Sequence, residues 1–135
     1  VRLSMSTKDR VIKQWIQKAD NDLKSAEILF NAEEVLCENV CTLSQQAAEK
    51  YLKALLLYLD VDFRRSHSLV YLLGLLEPSG EVTDRMYSVA DFLTPFAVDI
   101  RYPGEMEVNN ADSKEAILGA RMFRDYVLSR MPEFT

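Results

Sequence analysis

The chain contains a single histidine. It stands in the run Val61-Asp62-Phe63-Arg64-Arg65-Ser66-His67-Ser68. Imidazole is the side chain that exchanges protons near neutral pH, and the two guanidiniums ahead of it are planar forks that fit phosphate or carboxylate. Arg64, Arg65 and His67 are thus one basic cluster able to hold an anion. The plainer alternative is two solvated loop charges and a histidine that caps a helix or satisfies a carbonyl. A second candidate is Arg101 in Arg101-Tyr102-Pro103-Gly104, where proline and glycine fix a turn. Arg101 either presents a fork to a phosphate or a partner's carboxylate, or locks the preceding helix by an ion pair, with Asp22 as a possible mate. A third is the stripe Gln45, Gln46, Glu49, Lys50 and Lys53. It is either a solvated face held by Gln46–Lys50 and Glu49–Lys53 pairs, each worth a few tenths of a kcal/mol, or a groove wall or dimer face from which Lys50 and Lys53 meet phosphate. If the chain catalyses anything, His67 and Arg101 are the residues to carry it.

Other chemistries find no residues. Four scattered glycines do not build a phosphate loop, and no Ser/His/Asp set or pair of catalytic carboxylates stands out. No cofactor is implied, and one histidine with two cysteines falls short of a metal site. A net charge of −5 and a pI near 4.9 argue against a broad phosphate-binding surface, though not against a small basic site. No apolar run approaches the ~18 residues of a membrane span, and Val1 to Arg10 lacks the apolar core of a secretory signal. Cys37 and Cys41, one helical turn apart, read as reduced, partly buried thiols. A cytoplasmic protein is expected.

Helices must position these groups. Cys41 to Leu59 has no glycine or proline and is rich in strong helix formers. At 100° per residue, Leu43, Ala47, Ala48, Tyr51, Leu52, Ala54, Leu55, Tyr58 and Leu59 share one half of the helix, an apolar arc of roughly 180°. Such an arc touches at least two neighbours, so this is the central helix of a bundle, running from about residues 33–35 to Asp60. Ser44 lies within the arc, where a small residue permits close helix approach.

The first helix runs from Lys8 to Phe30 on the stripe Ile12, Trp15, Ile16, Ala19, Leu23, Ala26, Phe30, with Asn31 as its cap. Asp22, at the edge of that stripe, is expected to pair with a base on a neighbouring helix. A short third helix, Leu69 to Leu76, is capped by Ser66 or Ser68 and ends at Pro78-Ser79-Gly80. The fourth starts near Glu81 and breaks at Leu93-Thr94 ahead of Pro95, with Thr94 capping a last short turn. Residues 104–111 are polar. Asp112 and Glu115 then form a capping-box-like start to a final helix ending near Arg130. The whole chain is expected to be one all-α, up-and-down bundle of four to five helices, with residues 1–7 a tail, disordered or foreign to the native chain. Leu56 and Leu57, outside the main apolar arc, leave surface for a second copy.

These residues resemble the HEPN family, the "higher eukaryotes and prokaryotes nucleotide-binding" domains, over nearly the whole chain. Ala19, Asp22, Leu23 and Ala26 match its first helix. Gln45, Gln46, Ala47, Glu49, Lys50, Lys53 and Ala54 match its central-helix signature. His67 and Leu69 match the histidine opening the third helix, and Arg101-Tyr102-Pro103 the motif closing the fourth. The resemblance implies a homodimeric helical bundle from a prokaryote, binding nucleotide or RNA and paired with a minimal nucleotidyltransferase in a module of toxin–antitoxin type. The motif residues Arg101, Tyr102, His67, Lys50 and Lys53, together with the basic cluster residues Arg64 and Arg65, are the expected ligand or partner site. Many relatives are metal-independent ribonucleases with an Arg and a His four to six residues apart on a late helix. Here the pattern is absent at that spacing: no histidine follows Arg101.

Overall fold

The computed structural model of the protein describes residues 6–97, 102–104 and 107–135. Five α-helices account for most of them: α1 (Thr7–Phe30), α2 (Cys37–Tyr58), α3 (Leu69–Leu76), α4 (Asp84–Leu93) and α5 (Asn110–Ser129). No strand occurs among the described residues.

The Ser6 hydroxyl caps α1 by accepting from the Asp9 N–H at 3.0 Å, so the helix and its cap reach into the segment read as a tail. Ile12, Ile16, Ala19, Leu23 and Ala26 are buried. Asn31 closes the helix, its side-chain amide donating to the Glu27 carbonyl at 2.9 Å. The central helix α2 packs most extensively on α1, then on α5, and also touches α3 and the turn after α4. This is what its wide apolar arc requires. It starts at Cys37, later than expected, because Leu36 takes the cap position after a run of turn and bend residues. The envelope around α2 also corrects the reading of Leu56. That side chain is fully buried, and Leu57 is half-buried, so neither offers an open apolar face.

After α2 the chain turns sharply at Asp60, whose φ of 58° is left-handed. Ser68 caps α3, accepting from the Tyr71 N–H at 3.2 Å. Glu81 does not begin α4, because its φ of 69° is incompatible with a helix start. Thr83 supplies the capping oxygen instead, accepting from the Met86 N–H at 3.2 Å.

Pro95 ends α4 at Leu93, and Thr94–Ala97 form a 3₁₀ turn. Thr94 does not cap that turn. Its hydroxyl donates back to the Ala90 carbonyl at 2.7 Å and accepts from the Leu69 N–H at 3.3 Å, so one side chain closes α4 and helps to open α3. The α5 box is built about one turn earlier than expected, with its cap at Asn109 rather than Asp112. Asn109 is the cap and Asp112 its reciprocal partner, with bonds of 2.9 and 3.0 Å. At the other end, Arg130 donates to the carbonyls of Ser79 and Gly80, each at 3.1 Å, tying α5 to the α3–α4 turn.

Candidate functional site

The centre of the site is Glu49 on α2. Together with Gln45 and Lys53 it lies on the side of the helix covered by α1 and by the α2–α3 loop. All three are buried, so this part of the stripe is not a solvated face. Glu49 Oε2 accepts from Lys53 Nζ at 2.8 Å. Glu49 Oε1 accepts from Gln45 Nε2 at 3.2 Å and contacts His67 Nδ1 at 2.9 Å. Gln45 Nε2 also donates to the His67 carbonyl at 3.2 Å. Two acceptors on one side fix the Gln45 amide orientation and leave its Oε1, with Ser44 Oγ, unpartnered and buried. The Lys53 ammonium lies 5.9 Å from the ring centroids of both Trp15 and Phe63. Aromatic faces compensate a desolvated cation in this way.

Burial pushes the Glu49 carboxyl upward, but the hydrogen bonds from Lys53, Gln45 and His67, with the Lys53 charge, outweigh it. They hold the group below the ordinary 4.5. Glu49 is therefore a carboxylate at neutral pH, and a carboxylate only accepts. It follows that His67 Nδ1 carries the hydrogen and donates it to Glu49. The imidazole is 70% exposed while its partner carboxylate is 10% exposed. His67 is thus latched from beneath by a buried anion, with Nε2 free for a ligand.

The loop carrying His67 is pinned at further points. The Arg64 N–H donates to the Tyr71 hydroxyl at 3.1 Å, and the Ser68 N–H donates to Ser66 Oγ at 3.1 Å. The Arg64 guanidinium carbon lies over the Tyr71 ring, 4.0 Å from its centroid. Arg64 and Arg65 are exposed, and neither forms an ion pair with a described residue.

The other expected site residues lie apart. Lys50 is engaged by Asp22 of α1 in a part-buried ion pair, so Asp22 has the base from a neighbouring helix that its position called for. Lys53 is consumed by Glu49. Neither lysine is therefore a free point charge for phosphate. Tyr102 is 72% exposed and lines a cleft of about 610 Å³ with Leu36, Cys37 and Pro103. That cleft opens on the first turn of α2, about 18 Å along the helix axis from Glu49 at 1.5 Å per residue. Arg101 lies outside the described residues. The Cys37 thiol donates to Asn110 Oδ1 at 3.2 Å, and Cys41 is buried. Two further polar ties cross from α1, with the Tyr51 hydroxyl donating to Asp20 and Arg121 pairing with Glu27. No group of three His, Cys, Asp or Glu among the described residues is placed to hold a metal, and none of the described helices is long and apolar enough to cross a membrane.

A HEPN domain model matches residues 12–131. The chain belongs to the HEPN family. Two solved structures share its fold. One is an archaeal HEPN homologue, 27% identical, with a TM-score of 0.73, covering 88% of this chain and 96% of its own. The other is a protein of Thermus thermophilus, 23% identical, with a TM-score of 0.76, covering 87% of this chain and 96% of its own. No curated protein matches. The histidine that the motif resemblance set at the opening of the third helix, His67, lies in the loop immediately before the Ser68 cap of α3. What sequence reasoning missed is the use of the central-helix signature: in this HEPN chain Gln45, Glu49 and Lys53 form the buried mount of that histidine.

Proposed function

We propose that this HEPN protein binds nucleotide or RNA through the α2–α3 loop. On this reading it works as a homodimer with a minimal nucleotidyltransferase partner, in a module of toxin–antitoxin type. The observation that carries the reading is the Glu49–His67 latch, which holds an exposed imidazole in the same short loop as Arg64 and Arg65, neither of them ion-paired to a described residue. Such a set suits a phosphate: Arg65 supplies donors, His67 Nε2 joins them when the ring carries a second proton, and little side-chain entropy is lost by a ring already fixed. Arg101 and Tyr102 enter the reading through the family motif, and the homodimer through family membership.

The test is fluorescence anisotropy with a labelled single-stranded RNA at low and moderate salt. Arg65→Ala and His67→Ala should each weaken binding, the loss of a charge-assisted bond costing about 1.5–3 kcal/mol. Arg65→Ala should also flatten the salt dependence. Wild-type affinity and salt slope in both variants would remove the loop from the binding site.

The same latch supports a second reading, a metal-independent ribonuclease. A carboxylate bound to Nδ1 fixes the tautomer and orientation of a histidine whose Nε2 then serves as base or acid. RNA cleavage in excess chelator, lost in His67→Ala, would replace the binding reading with this one.

A further inference from the structure

Arg64 is held in a manner that phosphate binding alone does not need. A guanidinium that serves only as a charge is free to swing on its stem, whereas the central carbon of this one stands over the Tyr71 ring, 4.0 Å from its centroid. The ring is itself fixed. Its hydroxyl accepts from the backbone N–H of Arg64, and its body packs against the core. Residue 64 is thus tied to Tyr71 twice, by backbone and by side chain. No described carboxylate draws the guanidinium away, and the residue is exposed. The ring engages the guanidinium on one side, and the residue is otherwise open to solvent.

We propose that the Arg64–Tyr71 pair is a stacking platform for a nucleobase, and that the ligand of this loop is a single-stranded oligonucleotide, recognised by base as well as by phosphate. A guanidinium plane and an aromatic ring both stack on any base, because every base has a π-face. Stacking beneath the guanidinium also restrains it, so a base settles on a surface already organised. The next residue along the loop, Arg65, and the latched His67 are left for the adjoining phosphate. Stacking carries no demand for a particular base edge, so the preference is for unpaired nucleic acid rather than for a sequence.

This inference rests on the reading of the loop as an RNA-binding site, and the experiment separates the two. The probes are a fluorescein-labelled oligoadenylate of about ten nucleotides, within the span a single small domain covers, and an abasic ribose-phosphate chain of the same length and charge. Wild type should bind the oligoadenylate about tenfold more tightly than the abasic chain. Arg64→Lys keeps the positive charge and removes the flat face, at an exposed position where folding is not at stake. It should abolish the tenfold preference. Equal binding of the two probes by wild type, or a preference that survives in Arg64→Lys, overturns the platform while leaving phosphate recognition standing. Failure of wild type to bind either probe overturns both.

Discussion

At the scale of single residues, Glu49→Gln keeps the shape of the site and removes its one buried negative charge. Lys53, with 8% of its side chain exposed, is then a buried cation without its counter-ion. Breaking a buried pair from one side costs about 3 kcal/mol or more, so the urea midpoint should fall accordingly at neutral pH. The folded Glu49 carboxyl lies below its ordinary 4.5, so its stabilising contribution is complete above that ordinary value. It is lost as pH falls through the depressed folded value. The advantage of wild type over Glu49→Gln should therefore hold steady from neutral pH to about 5 and shrink below 4.5. A gap that stayed constant through acid would mean that the charge of Glu49 is not what the site uses. The basic cluster of this site is legible in the sequence because Arg64, Arg65 and His67 are neighbours. Its mount is not, because Glu49 meets His67 across 18 positions, and the contact exists only once the loop folds back over α2. Glu49–Lys53 is visible as an i,i+4 pair, but spacing alone does not say whether Trp15 and Phe63 cover it.

At the scale of helices, α5 packs against Val89 and Leu93 of α4 at Gly119. A Cβ built there would stand 2.7 Å from Val89 Cγ1, a contact that forces one side to shift. Alanine gains up to about 1 kcal/mol over glycine within a helix, whereas overpacking costs about 1–3 kcal/mol. Gly119→Ala should therefore lower stability, by about 1 kcal/mol. With Val89→Ala already present, the same change should become stabilising, because the obstructing methyl is gone. Thermal melts of the four proteins in that cycle decide the matter; a Gly119→Ala penalty that persists beside Val89→Ala would show that the clash is not its source. The five helices were readable from apolar periodicity, and α3 was readable to the residue. The misplaced boundaries share a cause. Glu81 resembles a first-turn acid, and Asp112 resembles a cap. A left-handed φ at one and the reciprocal bond to Asn109 at the other depend on backbone geometry that composition does not encode.

At the scale of the molecule, the proposed homodimer needs a face, and Leu56 does not provide one. The exposed apolar side chains are elsewhere, among them Ile28 on α1 at 61% and Leu118 on α5 at 51%. Leu118 borders one groove with Phe30 and Ile117 and another with Val89 and Met122. If copies meet there, Leu118→Lys should shift the mass seen by light scattering from dimer to monomer and leave the helical spectrum intact. A wild-type monomer at tens of micromolar, on the order of a weak-dimer Kd, would count against the assembly altogether. The bundle as a whole was legible because the arc of α2 is too wide for one neighbour. Its free surface was not, because Leu56 and Leu57 fall outside the arc on a helical wheel, and only the folded bundle buries the first and half-buries the second.

The chain has one tryptophan, and its ring lies as close to the Lys53 ammonium as does that of Phe63 in the loop. Its emission is therefore a built-in optical gauge of the latch. Loosening the loop, by Glu49→Gln or by a ligand that draws His67 outward, changes the polarity and the charge next to the only strong fluorophore, so occupancy of the site is readable in unlabelled protein.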